Sequence, residues 1–373
     1  MLEKLSTIES KQELQIPRLN SLETFFPLNL LSSHMELLLV LFLLFVSSLP
    51  HVSSHSSSNY SALFCFGDSY SETGNFNILA QGMAPFNNLE HLPYGIANFG
   101  HPSGRASDDR LTVDFIAEGL GLPLLLPSLL KGKDFSKGAN FAVSGATALD
   151  LSFFQQNNVA IAPFNISLNV QIGWFQDLKP SFCNTTESCN DYFSKAMFIL
   201  GEVGGNDNIF MLFSNKTLDF VRSYVPTVVD TINTAAEVLL KQGVMNLMLP
   251  GLGPMGCTPV ILTLFASRNK SYYNSFGCLK KYNTISSYHS LLLSQAVTQL
   301  SAKYSRARII FADYNGPVIA ALLSPELFGF NNGATLKVVN AFQGRTGLSE
   351  GRVGLDLGRL LEGPDLEGLK YED

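Results

Sequence analysis

ALFCFGDSYSETGN, residues 62–75, is the stretch from which the rest of the chain can be read. Five apolar residues, Ala62 to Phe66, run without a break into Gly67, Asp68 and Ser69. A short unbroken apolar run suits a strand buried on both faces of a parallel sheet, because a strand with one wet face alternates instead. A Gly-Asp-Ser step directly after such a strand makes a tight turn at the sheet's carboxyl edge, where ligands and chemistry gather in open α/β sheets. It leaves the Ser69 hydroxyl exposed and the Ser69 N–H free to donate, which makes Ser69 a candidate nucleophile.

Further along, AMFIL (196–200), VMNLMLP (244–250) and ARIIFAD (307–313) repeat the strand pattern. Between them, LDFVRSYVPTVVDTINTAAEVLLKQG (218–243) and SYHSLLLSQAVTQLSAKY (287–304) carry helical periodicity. Strands alternating with long helices are βαβ units, so the expected class is α/β with a parallel sheet covered by helices on both sides. No internal repeat or linker interrupts residues 60–333, which therefore read as one domain.

Composition narrows the function. Of 373 residues, 46% are hydrophobic and 15% charged, which is enough apolar material for a real core. The formal charge of −6 has the wrong sign for neutralising nucleic-acid phosphates, so no nucleic-acid partner is expected. Five cysteines and six histidines are scattered without metal-ligand spacing, and no metal or other cofactor is implied. GLGPMG (251–256) has dinucleotide-fingerprint spacing, but Pro254 and Pro259 disfavour the helix such a site needs and no acid follows between Cys257 and Ala312. GLSEG (347–351) matches a nucleophile-elbow pentapeptide, yet the residues before it make a poor buried strand and no histidine follows Ser349.

LLLVLFLLFV (37–46) is too short to span a bilayer and fits the apolar region of a secretory signal, so residues 35–58 read as a signal peptide and no stable membrane span is expected. Met35 is the preferred start, with residues 1–34 an upstream extension. Secretion makes sense of five N-x-[ST] sequons, at Asn59, Asn165, Asn184, Asn215 and Asn269, as sites for N-glycans. In an oxidising lumen, Cys183 with Cys189 and Cys257 with Cys278 are the expected disulfides. Cys65, inside ALFCF, reads as a buried small hydrophobe.

Four later blocks join the Gly67-Asp68-Ser69 turn in order and spacing: SGRASDDRLTVDFIAEGLGLPLL (103–125), GANFAVSGATALD (138–150), GEVGGNDNIF (201–210) and LPGLGPMGCTP (249–259). Together they resemble the plant GDSL esterases and lipases of the SGNH hydrolase superfamily, with Tyr70 in place of the name-giving leucine and Asp109 where a glycine is usual. The resemblance covers residues 60–333. It implies a flavodoxin-like three-layer sandwich, hydrolysis of lipid, carbohydrate or other small carboxylic esters through Ser69, and an oxyanion hole built from the N–H of Ser69, the N–H of Gly145 and the side-chain amide of Asn206. Read without the resemblance, Gly145 could be a turn glycine and Asn206 a capping residue.

The same resemblance predicts a late D-x-x-H block supplying the general base. None is present: the last histidine is His289, and the 84 residues from Ser290 onward contain no imidazole. From Ala334 the resemblance stops; residues 334–373 are rich in charge and glycine and read as a divergent, disordered tail, as from a frameshift, retained intron or alternative end. His101 and His91, in loops, are the conceivable substitutes, and His289 falls in a helix. Three readings follow: a secreted esterase lineage impaired by loss of its base, a secreted ligand- or glycan-binding protein that keeps the pocket, or a defective product of an esterase gene.

Overall fold

Ala62–Phe66, whose five side chains are all sealed from solvent, form strand β1 in the computed structural model, which describes residues 60–82, 88–161 and 165–328. The chain then places α1 (Asn75–Leu79) and α2 (Thr112–Gly119) before a three-residue strand β2 (Gly138–Asn140). Helices α3 (Leu151–Gln156), α4 (Leu168–Leu178) and α5 (Thr186–Ser194) lead to β3 (Ala196–Leu200), and α6 (Gly205–Phe213) and α7 (Leu218–Lys241) lead to β4 (Asn246–Pro250). After α8 (Pro259–Leu264) and α9 (Lys280–Lys303) come β5 (Arg308–Ala312) and α10 (Asn315–Leu323).

The strands form one parallel sheet in the order β2-β1-β3-β4-β5, with Ala62 opposite Ala196 and Phe66 opposite Leu200. This is the flavodoxin-like order, in which the chain reverses its direction of winding after β2. Side chains alternate across a strand, so β1 and β3 feed two separate cores. Phe64, Phe66, Phe198 and Leu200 face one side and pack with α4, α5, α7 and α9; Leu63, Cys65, Met197 and Ile199 face the other and pack with Val113, Ile116 and Ala117 of α2. The result is the three-layer α/β sandwich expected from the resemblance.

Helix α7 shows why the longer elements were legible. Its Val221, Val225, Val228, Val229, Ile232, Ala235, Ala236 and Leu239 recur every three or four residues and are buried as one stripe. The Thr217 hydroxyl accepts the N–H of Phe220 at 3.2 Å and so caps its first turn. Helix α9 begins at Lys280, seven residues before the periodic stretch, because its opening turns spend polar side chains on a neighbour: Asn283 Oδ1 accepts Gly256 N–H at 2.7 Å and Ser286 Oγ accepts Met255 N–H at 3.2 Å.

Strand β2 has no apolar run to announce it. A Cβ at Gly138 would sit 1.7 Å from the Leu63 carbonyl oxygen, so bare backbone is what lets β2 lie against β1. The GLGPMG stretch leaves β4 and runs into a single 3-10 turn, Met255–Cys257, ahead of the six-residue α8, which opens on Pro259. Its Gly256 is a packing glycine, whose Cβ would meet Leu279 O at 2.1 Å. Disulfides join Cys183 to Cys189 and Cys257 to Cys278, and Cys65 is a buried free thiol that burial pushes up to about 12. Among the described residues no helix is long and apolar enough to cross a membrane. The signal-peptide segment, Asn59, Ser349 and the tail from Ala334 all lie outside the described residues.

Candidate functional site

Ser69 stands three residues beyond the end of β1, half-buried, on a turn held from several directions. Gly67 has φ +139°, and a Cβ there would come within 2.9 Å of Glu202 O, so the loops after β1 and β3 touch backbone to backbone. The side-chain amide of Gln171, on α4, clamps Gly67 twice: Gly67 N–H donates to Oε1 and Nε2 donates to Gly67 O, both at 2.8 Å. Beyond the glycine, Asp68 closes the turn, accepting Ser71 N–H on its carbonyl at 3.1 Å and Tyr70 N–H on Oδ1 at 3.0 Å.

Gly145 lies in the loop after β2, at φ +82°. Buried acids pin that loop on both sides of it. Glu72 accepts Phe76 N–H at 2.5 Å with one oxygen and Ser144 N–H with the other. Asp207, on α6, accepts Ala148 N–H at 2.8 Å and Leu149 N–H at 2.9 Å. Asn75 and Asn140 tie the same loop to α1, with Asn75 Nδ2 donating to Asn140 O and Ala142 O at 2.8 and 3.0 Å. A carboxylate bound to backbone N–H groups fixes their orientation, and hydrogen bonds to a charged group are roughly twice as strong as neutral ones.

Asn206 sits in the first turn of α6, whose N-cap Gly204 is left-handed at φ 105°. Its Nδ2 donates to Asp68 Oδ2 at 3.1 Å and to Ala146 O at 2.9 Å. One amide thus bridges the residue before Ser69 and the residue after Gly145. The turns after β1, β2 and β3 are brought to one edge of the sheet, and both amide hydrogens of Asn206 are engaged there.

The edge is rich in buried acid. Burial pushes Asp68 and Glu72 each up to about 7 and Asp207 up to about 6. Glu202 lies well above the ordinary carboxyl range because burial, and then the nearby Asp68, oppose its charge. Histidine is not gathered there. His91 and His101 are exposed, with His101 Nδ1 2.9 Å from Pro102 O, and His289 is fully buried; among the described residues none of the three hydrogen-bonds Ser69.

Gln171, Glu72, Asn75, Asn140, Glu202 and Asp207 carry no assignment from the sequence alone. The available signal was polar side chains set among glycines and apolar residues in SETGN, GAN and GEVGGND. What each one holds lies far away in the chain, 104 residues for the Gln171 clamp.

Residues 63–337 match the profile of the GDSL-like Lipase/Acylhydrolase family. The chain is 38% identical over 303 residues to GDSL esterase/lipase At5g45910 of Arabidopsis thaliana, an alignment covering 79% of this chain and 80% of that protein. It is 37% identical over 276 residues to GDSL esterase/lipase At1g28570 of the same plant, covering 73% and 70%. Among solved structures it matches phospholipase A1 from Streptomyces albidoflavus at 12% identity over 71% of this chain and 82% of that one, with a TM-score of 0.31, too low to carry an argument. With the profile spanning most of the chain and the plant relatives aligned along most of their own lengths, this chain belongs to the GDSL lipase/acylhydrolase family.

Proposed function

We propose that this chain is a secreted carboxylic ester hydrolase by lineage, with Ser69 as nucleophile and with the Ser69 N–H, the Gly145 N–H and the Asn206 amide as oxyanion donors. The observation that carries the reading is the Asn206 bridge, which draws the turns of Ser69 and Gly145 to one edge. In the reaction Ser69 Oγ would bond to the ester carbonyl carbon and the carbonyl oxygen would take the negative charge. The alcohol would leave with a proton, and water would release the acyl group. Preoriented donors at a developing oxyanion are each worth about 2.7 to 4 kcal/mol in comparable hydrolases.

The weak step is removal of the Ser69 proton. A serine hydroxyl needs an adjacent base, residues 290–373 hold no histidine, and His289 is sealed in the core. The chain as written is therefore expected to turn esters over poorly; loss of the base from a serine triad costs about 10⁶-fold in turnover. That absence also favours a second reading, a secreted ligand- or glycan-binding protein that keeps the pocket.

The test uses the full chain, first shown to be folded by a cooperative melt. Nitrophenyl acetate should be cleaved no faster than in buffer, and a fluorophosphonate should label Ser69 only slowly. Replacing residues 334–373 by the closing segment of a plant relative, with its D-x-x-H, should restore hydrolysis, and Ser69→Ala should abolish it again while an unrelated exposed serine, Ser188→Ala, leaves it intact. Rapid labelling of Ser69 in the unaltered chain would contradict the impaired reading. A restored chain indifferent to Ser69→Ala would contradict the nucleophile.

A further inference from the structure

Two acidic side chains meet beside the Ser69 turn. Asp68, 2% exposed, and Glu202, 5% exposed, are buried neighbours whose carboxyls interact directly, and burial followed by the Asp68 charge holds Glu202 well above the ordinary carboxyl range. Such a contact holds only with a proton between the groups, since two ionised carboxylates at that range repel. Their other partners decide where the proton sits. Asp68 already accepts two N–H groups, Tyr70 N on Oδ1 at 3.0 Å and Asn206 Nδ2 on Oδ2 at 3.1 Å, and hydrogen bonds of that kind favour the ionised form. Glu202 Oε2 is sealed from solvent and, among the described residues, meets no donor. Asp68 is therefore the charged member and Glu202 the protonated one.

The groups around the pair reinforce this order. Asp207, on α6, adds negative charge that disfavours a second ionisation. Tyr70 and Tyr314 stay neutral, their phenols pushed above the usual range by burial first and then by neighbouring acids. A Cβ at Gly205 would lie 3.0 Å from Glu202 Oε1, so the glycine at the start of α6 makes room for the glutamic acid.

We propose that Asp68 and Glu202 are positioning residues: the Glu202 carboxyl donates its proton to Asp68, and the Asp68 carboxylate locks one amide hydrogen of Asn206, leaving the other, now on Ala146 O, to be handed to an ester's oxyanion. The inference rests on the reading of Asn206 as an oxyanion donor. It also explains which of two engaged hydrogens is exchangeable. The bond to Asp68 is charge-assisted and roughly twice as strong as the neutral one to Ala146 O, so an incoming oxyanion displaces the latter.

The test is spectroscopic, on the full folded chain at pH 8, where Glu72 and Asp207 are mostly ionised. The native protein should show an infrared carboxylic-acid carbonyl band that shifts in D₂O, and Glu202→Gln should remove it. The side-chain amide signals of Asn206, in ¹⁵N-labelled protein and assigned by their loss in Asn206→Ala, should stay in place in Glu202→Gln, whose amide still donates to Asp68. They should move in Asp68→Asn and in Glu202→Leu, where the locking charge is removed or left unsupported. An acid band unchanged by Glu202→Gln overturns the proposal, as do Asn206 signals indifferent to Asp68→Asn. Neither readout needs turnover, so ester hydrolysis can fail with the pair intact, and the pair can fail while a restored chain still depends on Ser69.

Discussion

His289 is a fully buried imidazole on α9 with both ring nitrogens unpartnered among the described residues. The ring is packed against the start of α6 so tightly that a Cβ at Gly204 would lie 2.6 Å from its Cε1. Burial strips the charged form of its hydration and so lowers its pKa to about 4 from 6.5. The unfolded chain thus binds this proton more readily than the folded one. Its effect on stability is neutral above pH 6.5, where both forms are uncharged, and becomes unfavourable as pH falls from 6.5 toward 4. The loss amounts to about 3 kcal/mol across that window. The urea midpoint of the native chain should therefore fall more steeply between pH 7 and pH 4.5 than that of His289→Leu. Comparing slopes cancels the buried carboxyls Asp68, Glu72 and Asp207, which are common to both and whose raised values act with opposite sign; equal slopes would refute the buried-neutral account.

At the scale of elements, β2 and α7 make opposite use of special residues. Gly138 has φ +107° and lets β2 approach β1 where any Cβ would strike the Leu63 carbonyl. Gly138→Ala should cost more than about 3 kcal/mol, because backbone on both strands must shift and β2 carries the Gly145 loop. The readout is the denaturation midpoint, with the exposed Gly132→Ala, whose Cβ would meet nothing within 4 Å, as a milder control. Pro226 lies inside the 24-residue α7, on its exposed face. It supplies no N–H to the carbonyl one turn earlier, a defect worth about 3 kcal/mol in a helix interior. Pro226→Ala should raise the urea midpoint, by an amount equivalent to about 1 to 3 kcal/mol. No change would mean that the helix has already bent to absorb the ring.

At the scale of the whole molecule, the proposal of secretion can be tested on surface and covalent features. The described sequon residues Asn165, Asn184, Asn215 and Asn269 are all exposed, and two disulfides are formed. Disulfides persist in oxidising compartments. Expressed in a plant or yeast secretory system, the protein should lose its residues through the low fifties and carry glycosidase-sensitive mass at these asparagines; an intact Met1 and an unchanged mass after glycosidase treatment would remove the secretory reading. The sequence alone determined the parallel α/β class, because β1, β3 and β4 bury almost unbroken runs of side chains, α7 buries a stripe that recurs every three or four residues, and each writes its burial pattern locally. It also placed Ser69 at a strand-to-turn edge, since that turn follows directly from an apolar run ending at a glycine. Gly145 and Asn206 came only through likeness to a family. Strand β2, the Gln171 clamp, the acids bracketing the Gly145 loop and the Asp68–Glu202 pair were decided by tertiary structure. Their meaning lies in partners supplied by other loops, 138 residues away for Asp68 and Asn206. A carboxyl's proton is set by what surrounds it once water has been excluded, and no local run of sequence records that.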